Sequence, residues 1–283
     1  MGMTGRPGGE ELGRISDLLT GCGLPLHGAC AFAELSHNLL PCRAAARLPD
    51  KPGTVLTLLF PYRFPDRGPR NLSRYAACLP DYHLAAGEVL SSAAAALRAA
   101  YPRYRFEPFV DNSPLPEVRA AALSGLGCIG DNGLLIHPVY GSWVFIAAIV
   151  TDMVLPLPPA GPPLGCLHCG ACAAACPAGC IGREAAGRRG CRRGCLSAVS
   201  QKKGSLTPKE EALLRSSPLV WGCDRCQEVC PLNRGTQIQP HPCFTGYQGR
   251  LTAGELGDLT GKAYGWRGRG VLERNLKLQG GPD

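Results

Sequence analysis

Two short stretches of the chain hold sulfur at intervals that suit metal chemistry. The first reads Cys166-Leu-His-Cys169-Gly-Ala-Cys172-Ala-Ala-Ala-Cys176-Pro177, and the second Cys223-Asp-Arg-Cys226-Gln-Glu-Val-Cys230-Pro231. The first is a complete C-x2-C-x2-C-x3-C-P run, the spacing that wraps a [4Fe–4S] cluster; the second repeats its C-x2-C-x3-C-P part. Two intervening residues let a tight loop aim successive thiolates at different irons of one cube. Small residues at Gly170, Ala171 and Ala173 let backbone N–H groups approach the sulfides, and the proline after the last cysteine turns the chain away. Zinc is the competing reading of any C-x2-C pair. Zinc sites of this kind separate their pairs by about 15–20 residues, and here the gap is wider and a third cysteine follows. The spacing predicts two [4Fe–4S] clusters.

In bacterial two-cluster ferredoxins the fourth cysteine of each run reaches across to the other cluster. On that pattern cluster I takes Cys166, Cys169, Cys172 and Cys230, and cluster II takes Cys176, Cys223, Cys226 and one further thiolate. Cys180, Cys191, Cys195 and Cys243 are the candidates for that last place. Cys195 is preferred, because Cys180 follows Cys176 too closely in a helix-forming stretch and Cys243 lies beyond the second block. Cys22, Cys30, Cys42, Cys78 and Cys128 are isolated in sequence and read as structural thiols.

Sixteen cysteines in 283 residues also raise the possibility of a secreted disulfide scaffold, but such scaffolds are short and follow a signal peptide. The chain opens MGMTGRPGGEELGRISDLL, with no apolar segment behind a basic start. Its longest apolar stretch, residues 143–150, is too short to span a bilayer. A cytoplasmic setting with reduced thiols and no membrane contact is expected. Hydrophobic residues are 45% and charged residues 18%, a balance that buries a core and excludes global disorder.

The formal net charge is +8, from 30 Lys+Arg against 22 Asp+Glu. Two clusters with their thiolates, each about −2, would bring this to about +4. What remains positive is concentrated. Arg183, Arg188, Arg189, Arg192, Arg193, Lys202 and Lys203 face only Glu184 between residues 182 and 203, and Arg267, Arg269, Arg274 and Lys277 follow in the tail. Such a patch suits a polyanionic substrate or an acidic electron donor. A solvated loop that balances the clusters' charge accounts for it equally well.

The elements that must position these groups are legible from periodicity. Residues 9–20 carry Leu12, Ile15, Leu18 and Leu19 at helical spacing, and residues 81–100 are an Ala- and Leu-rich helix stopped before Pro102. Thr54–Phe60 and Arg105–Val110 read as strands, and 133–151 as two strands joined by a Pro-Val-Tyr-Gly turn. Short helices are expected around 208–216 and 270–278. The Pro-rich segment 153–165 is a stiff connector and the natural domain boundary.

Ahead of it lies a second constellation. Asp111 sits at a strand exit, and Gly125, Gly127, Gly130 and Gly133 follow in a loop whose backbone would admit a bulky cofactor. As a dinucleotide fingerprint the loop is poor, because it leads into a strand-like segment and not a helix. The plain alternative for Asp111 is the N-cap of a helix near 115–124.

The order FVDNSP, GLGCIGDNGLLI, GSWVFIAAIVTD, the complete cysteine run and WGCDRCQEVCPLNR resembles the epoxyqueuosine reductase family, as do Ser73-Arg74-Tyr75-Ala76 and Asp81-Tyr82-His83 upstream. The resemblance spans about residues 50–235. It is similar, more distantly, to the corrinoid reductive dehalogenases. It implies an α+β chain: an N-terminal α/β corrinoid-binding-like domain over 1–155, a double [4Fe–4S] ferredoxin-like domain over 156–243, and a Gly-rich basic tail over 244–283. It further implies an oxidoreductase with two [4Fe–4S] clusters and cobalamin, which reduces epoxyqueuosine in tRNA to queuosine. Its proton donor falls on Asp111, its cobalamin lies against the loop at Gly125, Gly127, Gly130 and Gly133, and its remaining cluster-II ligand falls on Cys195. A ferredoxin- or flavodoxin-type electron donor and tRNA would be its partners. The family's G-W-x-G-K-H loop is replaced by Gly127-Cys128-Ile129-Gly130-Asp131-Asn132, and the family's C-terminal helical repeats are missing from this sequence. Two other readings are an electron-transfer protein that docks a partner reductase and a nucleic-acid-binding protein with structural clusters.

Overall fold

The computed structural model describes residues 7–157, 165–182 and 194–280. Arg183, Arg188, Arg189, Arg192, Arg193 and Cys191 lie outside the described residues. The described chain is mixed α/β and forms two compact units that interleave in sequence. One comprises residues up to Phe60, Ala85–Cys128 and Val144–Gly165; the other comprises Pro61–Leu84, Ile129–Trp143 and the chain from Cys166 onward. Compactness therefore does not follow a contiguous division at residue 155.

In the first unit, α1 (Pro7–Gly21) precedes β1 (His27–Ala31) and β2 (Thr54–Pro61). Helix α2 (Tyr82–Ala100), strand β4 (Phe106–Val110), helix α3 (Glu117–Leu123) and strand β7 (Val144–Thr151) follow. The four strands form one sheet in the order β1-β2-β7-β4. β1 runs antiparallel to β2 with Ala29 opposite Leu56, and β4 antiparallel to β7 with Pro108 opposite Ile149. The central strand β2 is buried at every position, which is why its sequence is a continuous apolar run with no alternation. Phe32, Leu35, Val55, Phe109, Ala148 and Val150 share one core with Leu115 and Ala120 beside α3.

In the second unit, β3 (Cys78–Leu79) pairs with β8 (Gly246–Tyr247), and the short pair β5 (Cys128–Ile129) and β6 (Leu135–Ile136) closes the glycine loop. Thus the two strands expected over 133–151 belong to different sheets. The remaining helices are short: α4 (Ala171–Ala174), α5 (Leu196–Ser200), α6 (Pro208–Arg215), α7 (Arg225–Glu228) and α8 (Arg269–Leu278). The tail is not a free appendage. Leu251, Leu256, Tyr264, Val271 and Leu272 pack with Leu72, Ala76, Val220 and Trp221 in a single core. Asn275, fully buried in α8, donates from its amide to the carbonyls of Ser200 and Val220 at 2.8 and 2.7 Å.

Candidate metal centre

Each cysteine block folds into the same local shape. The first places Cys172 in the four-residue helix α4 after Gly170, whose φ of 75° is the left-handed turn that glycine takes without strain. The second places Cys226 at the equivalent position of α7, and the two helices pack on one another. The repeat seen in the spacing is thus a repeat in structure.

Buried polar groups fix the second block. Asp224 Oδ2 accepts from Arg70 Nη1 at 2.6 Å and from the Arg74 backbone N–H at 2.8 Å. Burial pushes the Asp224 carboxyl above its ordinary range, and the Arg70 guanidinium opposes that rise. Arg70 also pairs with Glu228. On the other side Gln227 Oε1 accepts from Tyr62 Oη (3.1 Å) and Ser142 Oγ (3.0 Å), while Asn233 receives the Ser142 N–H at 2.8 Å and donates to the Gln227 carbonyl at 2.7 Å. The Asn233 side chain occupies the space a Cβ at Gly141 would need. The segments 61–84 and 129–143 therefore clamp Cys223–Cys230 from two sides.

The described thiols sort into two groups. Cys166, Cys169, Cys172 and Cys230 line a single recess, together with Gly130, Asp131, Asn132, Leu167, Pro231 and Leu232. The recess holds roughly 340 Å³ of atom-free space, part of it open to solvent. Burial raises the Cys230 thiol, and Cys166 and Cys169 press it in the same direction; burial likewise raises Cys172, with Asp131 and Cys166 adding to it. In the second group, burial pushes Cys226 up to about 12, with contributions from Cys223, Cys195, Cys172 and Cys176. Cys223 reaches about 11, again through burial first and then Cys195, Asp224 and Cys176. These mutual effects put Cys176, Cys195, Cys223 and Cys226 in one neighbourhood, with Cys172 of the other group at its border. The residues fit the [4Fe–4S] chemistry that their spacing predicts: each neighbourhood supplies at least the four thiols that one cluster needs.

The other thiols separate from both groups. Cys78 is buried, donates to the Tyr62 carbonyl at 3.2 Å and neighbours Cys243, whose thiol burial pushes to about 12. Cys30 and Cys128 are buried. Cys180 stands apart from this pattern and corrects an expectation. Residues 176–180 are not helical: Gly179, at φ 59°, closes a turn through its N–H to the Cys176 carbonyl at 3.0 Å. The Cys180 Sγ lies 3.6 Å from the Cys176 Sγ. Burial works against ionisation of Cys176, yet its thiol is lowered overall by hydrogen bonds from the backbone of Cys180, Ala178 and Ile181 and from the Cys180 side chain.

A pair made by Asp131 of the recess and the exposed His168 carried no signal in the spacing. Asp131 Oδ1 accepts from His168 Nδ1 at 2.8 Å across 37 positions of sequence, and both lie within 4.8 Å of the Cys166 sulfur in ligand-atom distance. His168 holds φ at 48°, uncommon for a residue with a side chain.

Asp111 is exposed at the end of β4 and is not a helix cap, because α3 starts after Pro116 without any side-chain cap. The Asn112 N–H bonds back to the Val110 carbonyl at 2.7 Å, which makes Asp111 the centre of a three-residue turn with φ 55°. Such turns are rare and strained, and strain of this kind collects at functional positions. In the glycine loop, a Cβ at Gly125 or Gly133 would meet nothing within 4 Å, so the backbone there is open to a flat ligand. Gly130 is different: a Cβ would meet Asn132 Oδ1 at 2.6 Å and Ile136 Cδ1 at 2.9 Å, so a side chain there would displace those two side-chain ends. Gly127 has φ 155°.

Residues 165–233, which contain both cysteine blocks, match the family described as a 4Fe–4S double cluster binding domain. The chain is, more particularly, a relative of the epoxyqueuosine reductases. It is 33% identical over 210 residues to the epoxyqueuosine reductase of Listeria monocytogenes, covering 69% of this chain and 53% of that protein. With that of Bacillus subtilis it shares 29% over 245 residues, or 79% and 61% of the two chains. The chain thus spans a little more than half the length of these curated relatives. The structure of epoxyqueuosine reductase from Streptococcus thermophilus matches with a TM-score of 0.75 at 22% identity, covering 94% of this chain and 80% of that one. An epoxyqueuosine reductase solved with an epoxyqueuosine-modified tRNA-Tyr stem loop matches at 0.79 and 22%, covering 95% and 80%. These likenesses show a shared fold. Among the described residues no helix is long and apolar enough to cross a membrane.

Proposed function

We propose that the chain is an iron–sulfur reductase that delivers electrons to an epoxide, with epoxyqueuosine in tRNA as its substrate. The observation that carries this reading is the convergence of Cys166, Cys169, Cys172 and Cys230, drawn from both cysteine blocks, on one recess. Cys166, Cys169, Cys172 and Cys230 hold cluster I, and Cys176, Cys195, Cys223 and Cys226 hold cluster II. An electron carrier of the ferredoxin or flavodoxin type supplies the reducing equivalents from outside. Reduction of an epoxide takes up two electrons and two protons, and two one-electron centres side by side suit that demand.

Cobalamin, when bound, supplies a strongly reducing metal able to act on the epoxide carbon. The open backbone at Gly125 and Gly133 supports its presence, as does the position of Gly130, Asp131 and Asn132 in the recess of the four cluster-I cysteines. Asp111 presents an exposed carboxyl from a strained turn and serves as the proton donor. The net positive charge of the sequence around Lys203 attracts the phosphates of the RNA.

The test is a single anaerobic preparation. Purified protein should carry about eight irons and eight sulfides per chain. Given hydroxocobalamin, a chemical reductant and an epoxyqueuosine-containing tRNA stem loop, it should release queuosine-containing RNA, and Asp111→Asn should abolish turnover while cobalt still comigrates with the protein. Stoichiometric zinc without visible absorbance would remove the reading entirely. Clusters without comigrating cobalt or turnover would leave an electron carrier.

A further inference from the structure

From the 3.6 Å contact between their sulfurs, we infer that Cys180 is a positioning residue for cluster II, its S–H hydrogen-bonded to the thiolate of Cys176 and holding that cluster's potential up. The inference rests on the reading of Cys176 as a cluster ligand.

The contact is too short for shared ligation of one cube. Thiolates on different irons of a [4Fe–4S] cluster point outward and away from one another, so their sulfurs lie well beyond hydrogen-bonding distance. If Cys176 binds iron, it does so as a thiolate with no proton to give, and the proton in the pair belongs to Cys180. The chain between them has the shape this requires. Pro177 and Gly179 turn the backbone around the sulfur, and the N–H groups of Ala178, Cys180 and Ile181 also reach it. Cys176 is therefore the focus of a small cage of donors.

The consequence follows from charge. Reduction adds an electron to a cluster that is already anionic, and donors to a ligating sulfur stabilise the more negative state. Hydrogen bonds to the sulfurs are among the determinants of cluster potential. Loss of the Cys180 donor should make cluster II harder to reduce, while leaving cluster I where it is. Electrons entering at one cluster and leaving at the other would then be biased in direction by a side chain that touches neither iron.

The experiment is an EPR-monitored redox titration of the anaerobic full-length chain, with iron analysis, for wild type, Cys180→Ala and Cys180→Ser. Cys195→Ala, which should lack cluster II, identifies which signal belongs to that cluster. The expected result is full iron content in both Cys180 variants, a cluster-II midpoint shifted to more negative potential in Cys180→Ala, and recovery of most of that shift in Cys180→Ser. An unchanged midpoint with full iron would overturn the inference and leave the two-cluster reading standing. Loss of about half of the iron in Cys180→Ala would also overturn it, by making Cys180 a ligand. Wild-type protein without clusters would take down the reading and the inference together.

Discussion

The two cysteine groups share a local fold but differ in what surrounds them. The cluster-I group lines a recess open to solvent, bordered by the Asp131–His168 pair, and His168 is 71% exposed. Two thiols of the cluster-II group are more enclosed: burial drives Cys223 to about 11 and Cys226 to about 12, and Asp224 between them has no exposed side-chain surface. The two sequence blocks, each of which contributes to both groups, are also held differently. The first relies on a short helix and one surface hydrogen-bonded pair. The second is clamped by the Arg70–Asp224–Glu228 ion pairs and by the Tyr62–Gln227–Ser142–Asn233 network. An exposed group suits exchange with a substrate or cofactor, and an enclosed one suits storage and relay of electrons.

Removing ligands tests that division most severely. Cys226→Ala and Cys195→Ala should each reduce the iron content from about eight to about four per chain, and Cys172→Ala should do the same through the other cluster. The remaining EPR signals of the first two variants should coincide and differ from the third. Full iron in Cys195→Ala would move that ligand to another cysteine and dissolve the second group as drawn. Arg70→Ala comes next in size. It strands the Asp224 carboxylate, whose side chain is fully buried, and removal of one partner from such a pair costs about 3 kcal/mol or more. Denaturant unfolding of the holoprotein should show that loss, and iron should leave cluster II before cluster I. Equal loss from both would mean that the clamp supports the unit as a whole and not the second block.

Much of this was readable in the residues, and the failures have physical causes. The TVLTLLF run became β2 and the Ala-rich segment became α2, because long apolar or helix-forming stretches carry their period with them. The two cysteine blocks were legible from their spacing, and residues 165–233 match the double-cluster family over both. Cys180 was misplaced because the alanines between 173 and 178 suggest a helix, whereas Pro177 and the positive φ of Gly179 end it. The tail read as Gly-rich and basic with one final helix, because Leu251, Leu256 and Tyr264 are sparse and irregularly spaced; the fold brings them together with Trp221 in one core. The pairing of Asp131 with His168 depends on a tertiary contact that leaves no local pattern.

The smallest effect probes the outer support of the second group. Cys195 is the N-cap residue of α5, and α5 rests on α6 through Leu196, Val199 and Leu214. α6 in turn is started by a capping box in which Thr207 Oγ1 accepts from the Glu210 N–H at 3.3 Å and Glu210 accepts from the Thr207 N–H at 2.8 Å. Thr207→Ala removes half of that box and should cost about 1 kcal/mol in unfolding stability. The same box carries a pH signature. Lys202, followed by the Thr207 N–H, holds the Glu210 carboxyl down at about 2 from an ordinary 4.5. Because the folded value is the lower one, its contribution is present above about 4.5 and fades as the pH falls toward 2. Salt should weaken it as well, since Glu210 lies at the surface. Glu210→Gln should therefore lower stability at neutral pH, flatten the acid limb between those values, and change little once the pH has fallen to about 2. If the link from α6 through α5 to Cys195 holds, iron release on mild acidification should be slightly faster from cluster II of Thr207→Ala and unaltered for cluster I. A variant that loses both clusters at the wild-type rates would show that α5 keeps Cys195 in place without help from α6.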